Sequence, residues 1–351
     1  MQLQQNIYTT VIVIWKGIEM VTLKDIAKEA GVSVMTVSRV VNHRYQEVSE
    51  KNIKKIQDII DKYGYVPNSS ARSLSSKSSR IISVIVQDDG RKNPMDTTFN
   101  ASMTGYIVEG VQRQGYQAMV HLIHDYSDVT KHLRSWKSEG AVFLGTFDEN
   151  IKQIQKDNDI PLIFTDSYSS VRQVINVGLD DYKGGVLAAR HFIEYGHKSF
   201  AFICSCMRES QVNQQRLAGF ADTLSAAGFS LPESHIFDTL DLRQGVDELC
   251  ALPDPVTALF VPIDESAVII MTYLKEKGYR IPEDYSIIGF DDFPICQYVN
   301  PPLTTIAQDV RQKAQCALDL LFQRLHDNTL PTQNTVLDVK LVSRQSVARL
   351  N

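Results

Sequence analysis

The 351-residue sequence predicts a small all-α helix-turn-helix headpiece followed by a larger α/β body. Three observations carry that expectation. The stretch VTLKDIAKEAGVSVMTVSRVVN, residues 21 to 42, holds two short amphipathic runs hinged at Ala30-Gly31-Val32. From Arg80 onward, short apolar runs alternate with helical patterns, which is how βα units of a parallel sheet are written. The charge is also unevenly divided. Residues 20 to 80 carry eleven Lys and Arg against six acids, while residues 81 to 351 carry 24 bases against 34 acids, so the net charge of -5 conceals a basic head on an acidic body. That asymmetry is expected where only one part of a chain meets phosphate. The length suits two or three domains rather than one core.

Residues 1–19, MQLQQNIYTTVIVIWKGIE, have an apolar stretch with no basic residue before it and no small-residue cleavage site. The stretch is too short for a membrane span. The segment reads as a disordered or non-native extension, with translation expected to start at Met20.

Residues 20–66 read as three helices. Thr22 with Asp25 forms a capping box, and Leu23, Ile26, Ala27 and Ala30 follow at helical spacing. Gly31 breaks this helix and Ser33 caps the next. In the second helix Val34, Val37, Val40 and Val41 form the expected buried stripe, leaving Thr36, Ser38, Arg39 and Asn42 outward. Val34 and Met35 also stand at the exposed start of that helix. Ser49 caps a third run, EKNIKKIQDIIDKYGY, whose Ile53, Ile56, Ile59 and Ile60 close a trihelical core. Helix, Gly-containing turn, helix is the geometry that places a second helix in the DNA major groove. The alternative is an ordinary αα-hairpin. Its outward face would be arbitrary, whereas this face carries groups able to bond base edges and phosphates.

Residues 67–80, around YVPNSSARSLSSKSSR, open with Pro67 and end in a Ser-rich basic tail with little to bury, so alone they read as a linker. Together, VTLKDIAKEAGVSVMTVSRVVN and YVPNSSARSL resemble the headpiece and hinge of the lactose-repressor (LacI/GalR type) family of bacterial transcription regulators. The resemblance extends over essentially the whole chain after Met20. It implies a hinge that becomes a short helix on DNA, pairs with a dimer mate and wedges a leucine into the minor groove. Leu74 holds that place, with Asn68 and Ala71 beside it among the implied DNA contacts, as are Thr22 and Ser33 in the headpiece. An apolar wedge unstacks a base step at a cost of a few kcal/mol, which the contacts of bent DNA offset.

Residues 81–351 form the body. The runs IISVIV (81–86), YQAMVHLI (116–123), GAVFLG (140–145), PLIFTD (161–166), SFAFIC (199–204), ALFVPI (258–263) and YSIIGFDD (285–292) read as buried parallel strands. YKGGVLAARHFIEYG and RLAGFADTLSAAG read as crossover helices, giving a doubly wound α/β body. The resemblance makes this two parallel-sheet lobes like periplasmic sugar-binding proteins, with dimerisation and effector binding in the body and the effector between the lobes.

Ligands of open α/β sheets sit beyond the carboxyl ends of strands, so polar residues following the apolar runs are the candidates. Asp166 follows PLIFT, Asp264 follows ALFVPI, Asp291 follows YSIIGF, and Arg216 opens RLAGF. The resemblance implies effector contacts for Asp166, Arg216 and Asp291. It also makes the position of Asp264 usually acidic, while Ile263 before it departs from the commoner polar residue. With Phe293 nearby, this set suits a polyhydroxylated ligand, a sugar or sugar phosphate, because carboxylates and a guanidinium take paired hydroxyl bonds. The alternative is that these acids cap helices or pair with one another.

The five cysteines, Cys204, Cys206, Cys250, Cys296 and Cys316, have no spacing suited to a disulfide framework or a facing metal pair, so they read as free buried thiols in a reducing, cytoplasmic setting. Gly184-Gly185 lacks any phosphate-loop pattern and reads as a close-packing site at a helix start. No catalytic arrangement, cofactor or metal site is expected. A sugar-binding receptor or a sugar-modifying enzyme sharing the α/β body are the alternatives; the first should carry a signal peptide and lack the headpiece. The expected function is a homodimeric, ligand-responsive repressor of carbohydrate-utilisation genes acting on a near-palindromic operator. With no heptad run after SRQSVAR, a coiled-coil tetramer is not expected, nor is a membrane partner.

Overall fold

A computed structural model of the chain describes residues 21–66, 78–145, 150–167, 174–205, 210–329, 331 and 334–350. The 1–19 extension and the hinge residues Asn68, Ala71 and Leu74 lie outside the described residues. The chain divides into two compact units, with the boundary between Ser79 and Arg80.

The headpiece is built of three helices, Leu23–Ala30, Val34–Val41 and Glu50–Tyr63. Thr22 and Asp25 make both bonds of the capping box, satisfying two amide donors that a helix start leaves open. Gly31 ends the first helix at φ +66° and Gly64 ends the third at φ +57°, left-handed geometry that costs glycine little. Ser33 caps the second helix by accepting from the Thr36 amide at 3.1 Å. Ile26, Ala27, Ala30, Val37, Val40, Ile56 and Ile59 form the core, with Ile53, Ile60 and Val41 at its edge. Val34 departs from the expected buried stripe and is 41% exposed. Side chains lean toward the N-terminus of their helix, so a residue in the first position leans off its end.

The body holds two six-stranded sheets. The first contains β1 (Ile81–Gln87), β2 (Gln117–Ile123), β3 (Gly140–Leu144), β4 (Leu162–Thr165), β5 (Ile175–Leu179) and β11 (Asn334–Leu337) in the order β11-β5-β4-β3-β1-β2. All its pairs are parallel. The second contains β6 (Phe200–Cys204), β7 (Ile236–Asp238), β8 (Ala258–Phe260), β9 (Ser286–Asp291), β10 (Thr304–Ala307) and β12 (Lys340–Val342) in the order β12-β10-β9-β8-β6-β7, parallel except for β12 against β10.

Each of the seven apolar runs contains a strand, although ALFVPI is a strand only to Phe260 and Asp264 begins the Asp264–Glu276 helix. The chain passes between sheets after β5, β10 and β11. After β10 the Val310–His326 helix therefore packs on the first sheet, burying Ala314, Ala317, Leu318 and Leu321 against Ile82, Val84 and Met103. In the second lobe the Asp181–Glu194 and Gln211–Ala226 helices touch backbone to backbone. A Cβ on Gly185 would lie 2.0 Å from the Arg216 carbonyl oxygen, and one on Gly219 would lie 1.9 Å from that of Tyr182. Gly184-Gly185 is thus a close-packing site in the first turn of a helix. Cys204 and Cys296 are buried, Cys250 and Cys316 are half-buried, and Cys206 lies outside the described residues.

Candidate DNA interface and effector cleft

The second headpiece helix exposes a continuous polar and apolar face. Met35 is 64% exposed beside Val34, with Ser33 and Thr36 joined at the helix start by a 2.9 Å hydroxyl contact. Half-buried Ser38 and Arg39 stand one turn further on. Arg39 pairs with Glu47 at 2.5 Å, both side chains more than a third exposed; such a pair contributes only about 0–1 kcal/mol and does not commit the guanidinium. The Asn42 amide is folded back, donating to the Ser38 carbonyl at 2.7 Å. The Thr22 hydroxyl is held by Asp25 at 2.6 Å. Ser33, Val34, Met35, Thr36, Ser38, Arg39 and Asn42 thus lie on one helix and its caps, while Thr22 caps the first helix.

In the body, the candidate acids stand at strand ends in unusual backbone geometry. Asp166, Asp291 and Asp292 have φ of 56°, 123° and 62°, values a non-glycine residue holds only where its surroundings enforce them. Asp166, just after β4, receives the Lys313 ammonium at 2.5 Å on each of its two oxygens. Lys313 is fully buried, with its ammonium 5.1 Å from the centre of the Phe99 ring. Burial pushes the Asp166 carboxyl up, and Lys313 opposes that shift.

Arg216 is buried in the second lobe. Its Nε donates to the fully buried Asp181 carboxylate at 2.7 Å and a terminal nitrogen donates to the Pro262 carbonyl at 2.5 Å. Its guanidinium lies 3.4 Å over the Phe290 ring, a stacked arrangement that suits a planar cation. Asp291 ends β9 and accepts from the Gln308 amide at 2.5 Å. Burial, only partly offset by Arg216, pushes the Asp291 carboxyl up to about 8, so near neutral pH it is largely protonated.

Asp264 is placed differently. It is fully buried and accepts from the Phe293 amide at 3.1 Å and the Thr305 hydroxyl at 2.6 Å. Burial holds it up at about 6 despite these donors. Its oxygens thus hold the turn that carries Asp291, Asp292 and Phe293. Asp292 in turn accepts from Arg344 at 2.5 Å. Phe293 packs against the first-lobe core near Val310. Asp291, Phe293 and Gln308 also line a cavity of about 810 Å³ beside the chain crossings, together with Thr98, Tyr106 and Arg311. Across the lobes, Glu265 accepts from the Thr98 amide at 3.0 Å and from its hydroxyl.

Lys313, Gln308 and Asp181 belong to this constellation and were not expected. Gln308 follows TTIA, which is β10, so the strand-end argument would have found it had that short run been read as a strand. Gln308 also keeps a buried carbonyl oxygen without a hydrogen bond, where a ligand hydroxyl could donate. Lys313 gave no signal, because a lysine within a helical pattern ordinarily reads as exposed.

Comparison with known proteins agrees with this architecture. Residues 22–68 match the family model of bacterial regulatory proteins, lacI family, and residues 189–347 match that of the periplasmic binding protein-like domain. The chain is 29% identical over 342 residues to the HTH-type transcriptional repressor PurR of Mannheimia succiniciproducens, covering 94% of this chain and all of that one. It is 28% identical over 336 residues to catabolite control protein A of Priestia megaterium, covering 93% and 99%. The structure of the lac repressor dimer bound to operator and the anti-inducer ONPF superposes with a TM-score of 0.84 at 25% identity, covering 94% of this chain and all of that one. The complex of the transcriptional regulator CelR with cellobiose gives 0.69 at 25% identity, covering 93% and 99%. Headpiece and two-lobed body together define a ligand-sensing DNA-binding regulator. Residues 22–68 thus match the lacI-family domain, and over almost its whole length the chain is similar to transcription repressors that carry it.

Proposed function

We propose that this regulator is a cytoplasmic homodimer that represses carbohydrate-utilisation genes from a near-palindromic operator under control of a sugar-like effector held between the lobes. The observation that carries this reading is one chain with a groove-sized helix on which Met35 is exposed and Thr36, Ser38 and Arg39 are half-buried, and a body that places Asp166 and Asp291 at strand ends near Arg216 of the Gln211–Ala226 helix. Two headpieces related by a two-fold axis require a near-palindromic site. Thr36, Ser38, Arg39 and Asn42 serve bases or phosphates, with Thr22 and Ser33 at helix starts facing the backbone. Val34 and Met35 meet thymine methyls. Asn68, Ala71 and Leu74 supply the minor-groove contact. In the body Arg216, Asp291 and Asp166 with Gln308 surround the effector, while Asp264 and Phe293 position that corner.

The body is a sensor rather than a catalyst, in keeping with relatives that are transcription regulators. Support for carbohydrate comes from the carboxyl and guanidinium groups of the cleft and from the structural neighbour that binds cellobiose. A ligand shifts DNA affinity only by its differential affinity for two lobe arrangements. The test is operator binding by the full chain across a panel of sugars. Arg216→Ala is expected to bind operator like the parent and lose the response; an unchanged response places the effector elsewhere.

A further inference from the structure

The cavity of about 810 Å³ beside the chain crossings draws its lining from both lobes. Arg311, in the first turn of the Val310–His326 helix, lines it from the first lobe. Lys340, which opens β12 opposite Ala307 of β10, lines it from the second. Arg311 lies 4.6 Å from the centre of the Tyr106 ring, a contact that positions the cation without giving it a counter-ion. Neither cation has an anionic partner among the described residues. The acids of the same lining are placed differently. Asp292 accepts from Arg344, Asp338 accepts from Lys183, and Asp309 caps its helix through the Gln312 amide. Asp291 is largely protonated near neutral pH. The groups left to bond a ligand are therefore chiefly donors, the guanidinium and ammonium together with the hydroxyls of Ser102 and Tyr106.

We propose that Arg311 and Lys340 form a subsite for the phosphate of a phosphorylated polyol, so that the effector bridges the two lobes where the chain crosses between them. This rests on the cleft being the effector site, with Asp291 and Gln308 shared. A phosphate monoester carries a charge of about −1.5 to −2 near neutral pH, which one guanidinium and one ammonium together match. Arginine bonds such an oxyanion with two N–H groups, and lysine meets it as a point charge. The cavity is roomier than a bare anion needs and lies in the range of small-molecule sites. The polyol hydroxyls donate to the buried Gln308 carbonyl oxygen and accept from the protonated Asp291 carboxyl. Arg311 follows the crossing after β10, and Lys340 follows the crossing after β11. An anion held by both therefore binds one arrangement of the lobes better than another, which coupling to DNA requires.

The experiment measures thermal unfolding of the full chain in glycerol phosphate against glycerol, and in inorganic phosphate against chloride, at equal ionic strength. The parent, Arg311→Gln and Lys340→Gln are compared. Both positions are exposed, so both variants are expected to fold. Anion binding by the basic headpiece adds the same shift to all three proteins, and the readout is the difference between them. The parent is expected to gain about 2 °C or more over each variant in either phosphate. No phosphate-specific shift in any of the proteins overturns the proposal, and so do equal shifts in all three, because the anion is then held elsewhere. Loss of the shift in only one variant overturns it as well, since a single cation then holds the anion. Any of these failures leaves the cleft standing as the effector site, whereas failure of that site shows separately, in the operator response of Arg216→Ala to sugars.

Discussion

Asp291 shows how one residue can carry both chemistry and strain. Its carboxyl, pushed up to about 8 by burial, keeps its proton in the folded protein through the range where an unfolded Asp, with a pKa of about 3.9, has lost it. Folding therefore takes up a proton between those values. The group's contribution to stability is complete below about pH 4 and falls as pH rises through about 8. Asp291→Asn keeps the shape and cannot ionise, so its melting temperature relative to the parent is expected to be higher at pH 8.5 than at pH 5.5. A difference that does not vary with pH would show that Asp291 ionises normally. At this scale the sequence revealed the residues that follow strands and hid those that answer them. Asp166 and Asp291 follow from position after strands and Arg216, inside a helix, from the family resemblance, whereas Lys313 and Asp181 are recognisable only once two distant segments meet.

Elements were legible where periodicity was strong. The seven apolar runs contain strands because both faces of a central parallel strand are buried, leaving an uninterrupted apolar signal. Polar positions interrupt β5, β7, β10, β11 and β12, as with Asn176 in β5 and Thr304 and Thr305 in β10. Those three polar side chains are buried with hydrogen-bond partners from other segments, the Thr304 hydroxyl accepting from the Arg344 amide, which no local pattern encodes. The Asp181–Glu194 and Gln211–Ala226 helices give a direct test of packing. Alanine gains about 1 kcal/mol over glycine in a helix, yet a Cβ at Gly185 would meet the Arg216 carbonyl oxygen at 2.0 Å. Overpacking against backbone should win, so Gly185→Ala is expected to destabilise the body by about 1–3 kcal/mol. Gly105→Ala, with nothing within 4 Å, is expected to be neutral or stabilising. Equal melting temperatures for the two variants would mean that the helix pair separates freely. In the hinge, Leu74→Ala is expected to lose about tenfold in operator affinity, roughly 1.4 kcal/mol, with little change on random DNA; equal losses on both would make the segment an electrostatic tether.

For the whole molecule, the charge division and the two-unit organisation describe the same arrangement. A basic unit with three helices among its described residues precedes an acidic two-lobed unit, with the boundary at residues 79 and 80. The lobes are linked by three chain crossings and by Glu265 at the start of the Thr98–Arg113 helix, so an effector that changes their arrangement acts on all crossings together. The central claim is that the exposed face of the Val34–Val41 helix reads DNA sequence as one half of a symmetric pair. Sequencing random DNA fragments retained by the purified full chain tests it most directly. The account predicts enrichment of a near-palindromic site with an A·T pair near the position read by Val34 and Met35; retention without sequence enrichment, or recovery of only asymmetric GC-restricted sites, would contradict it.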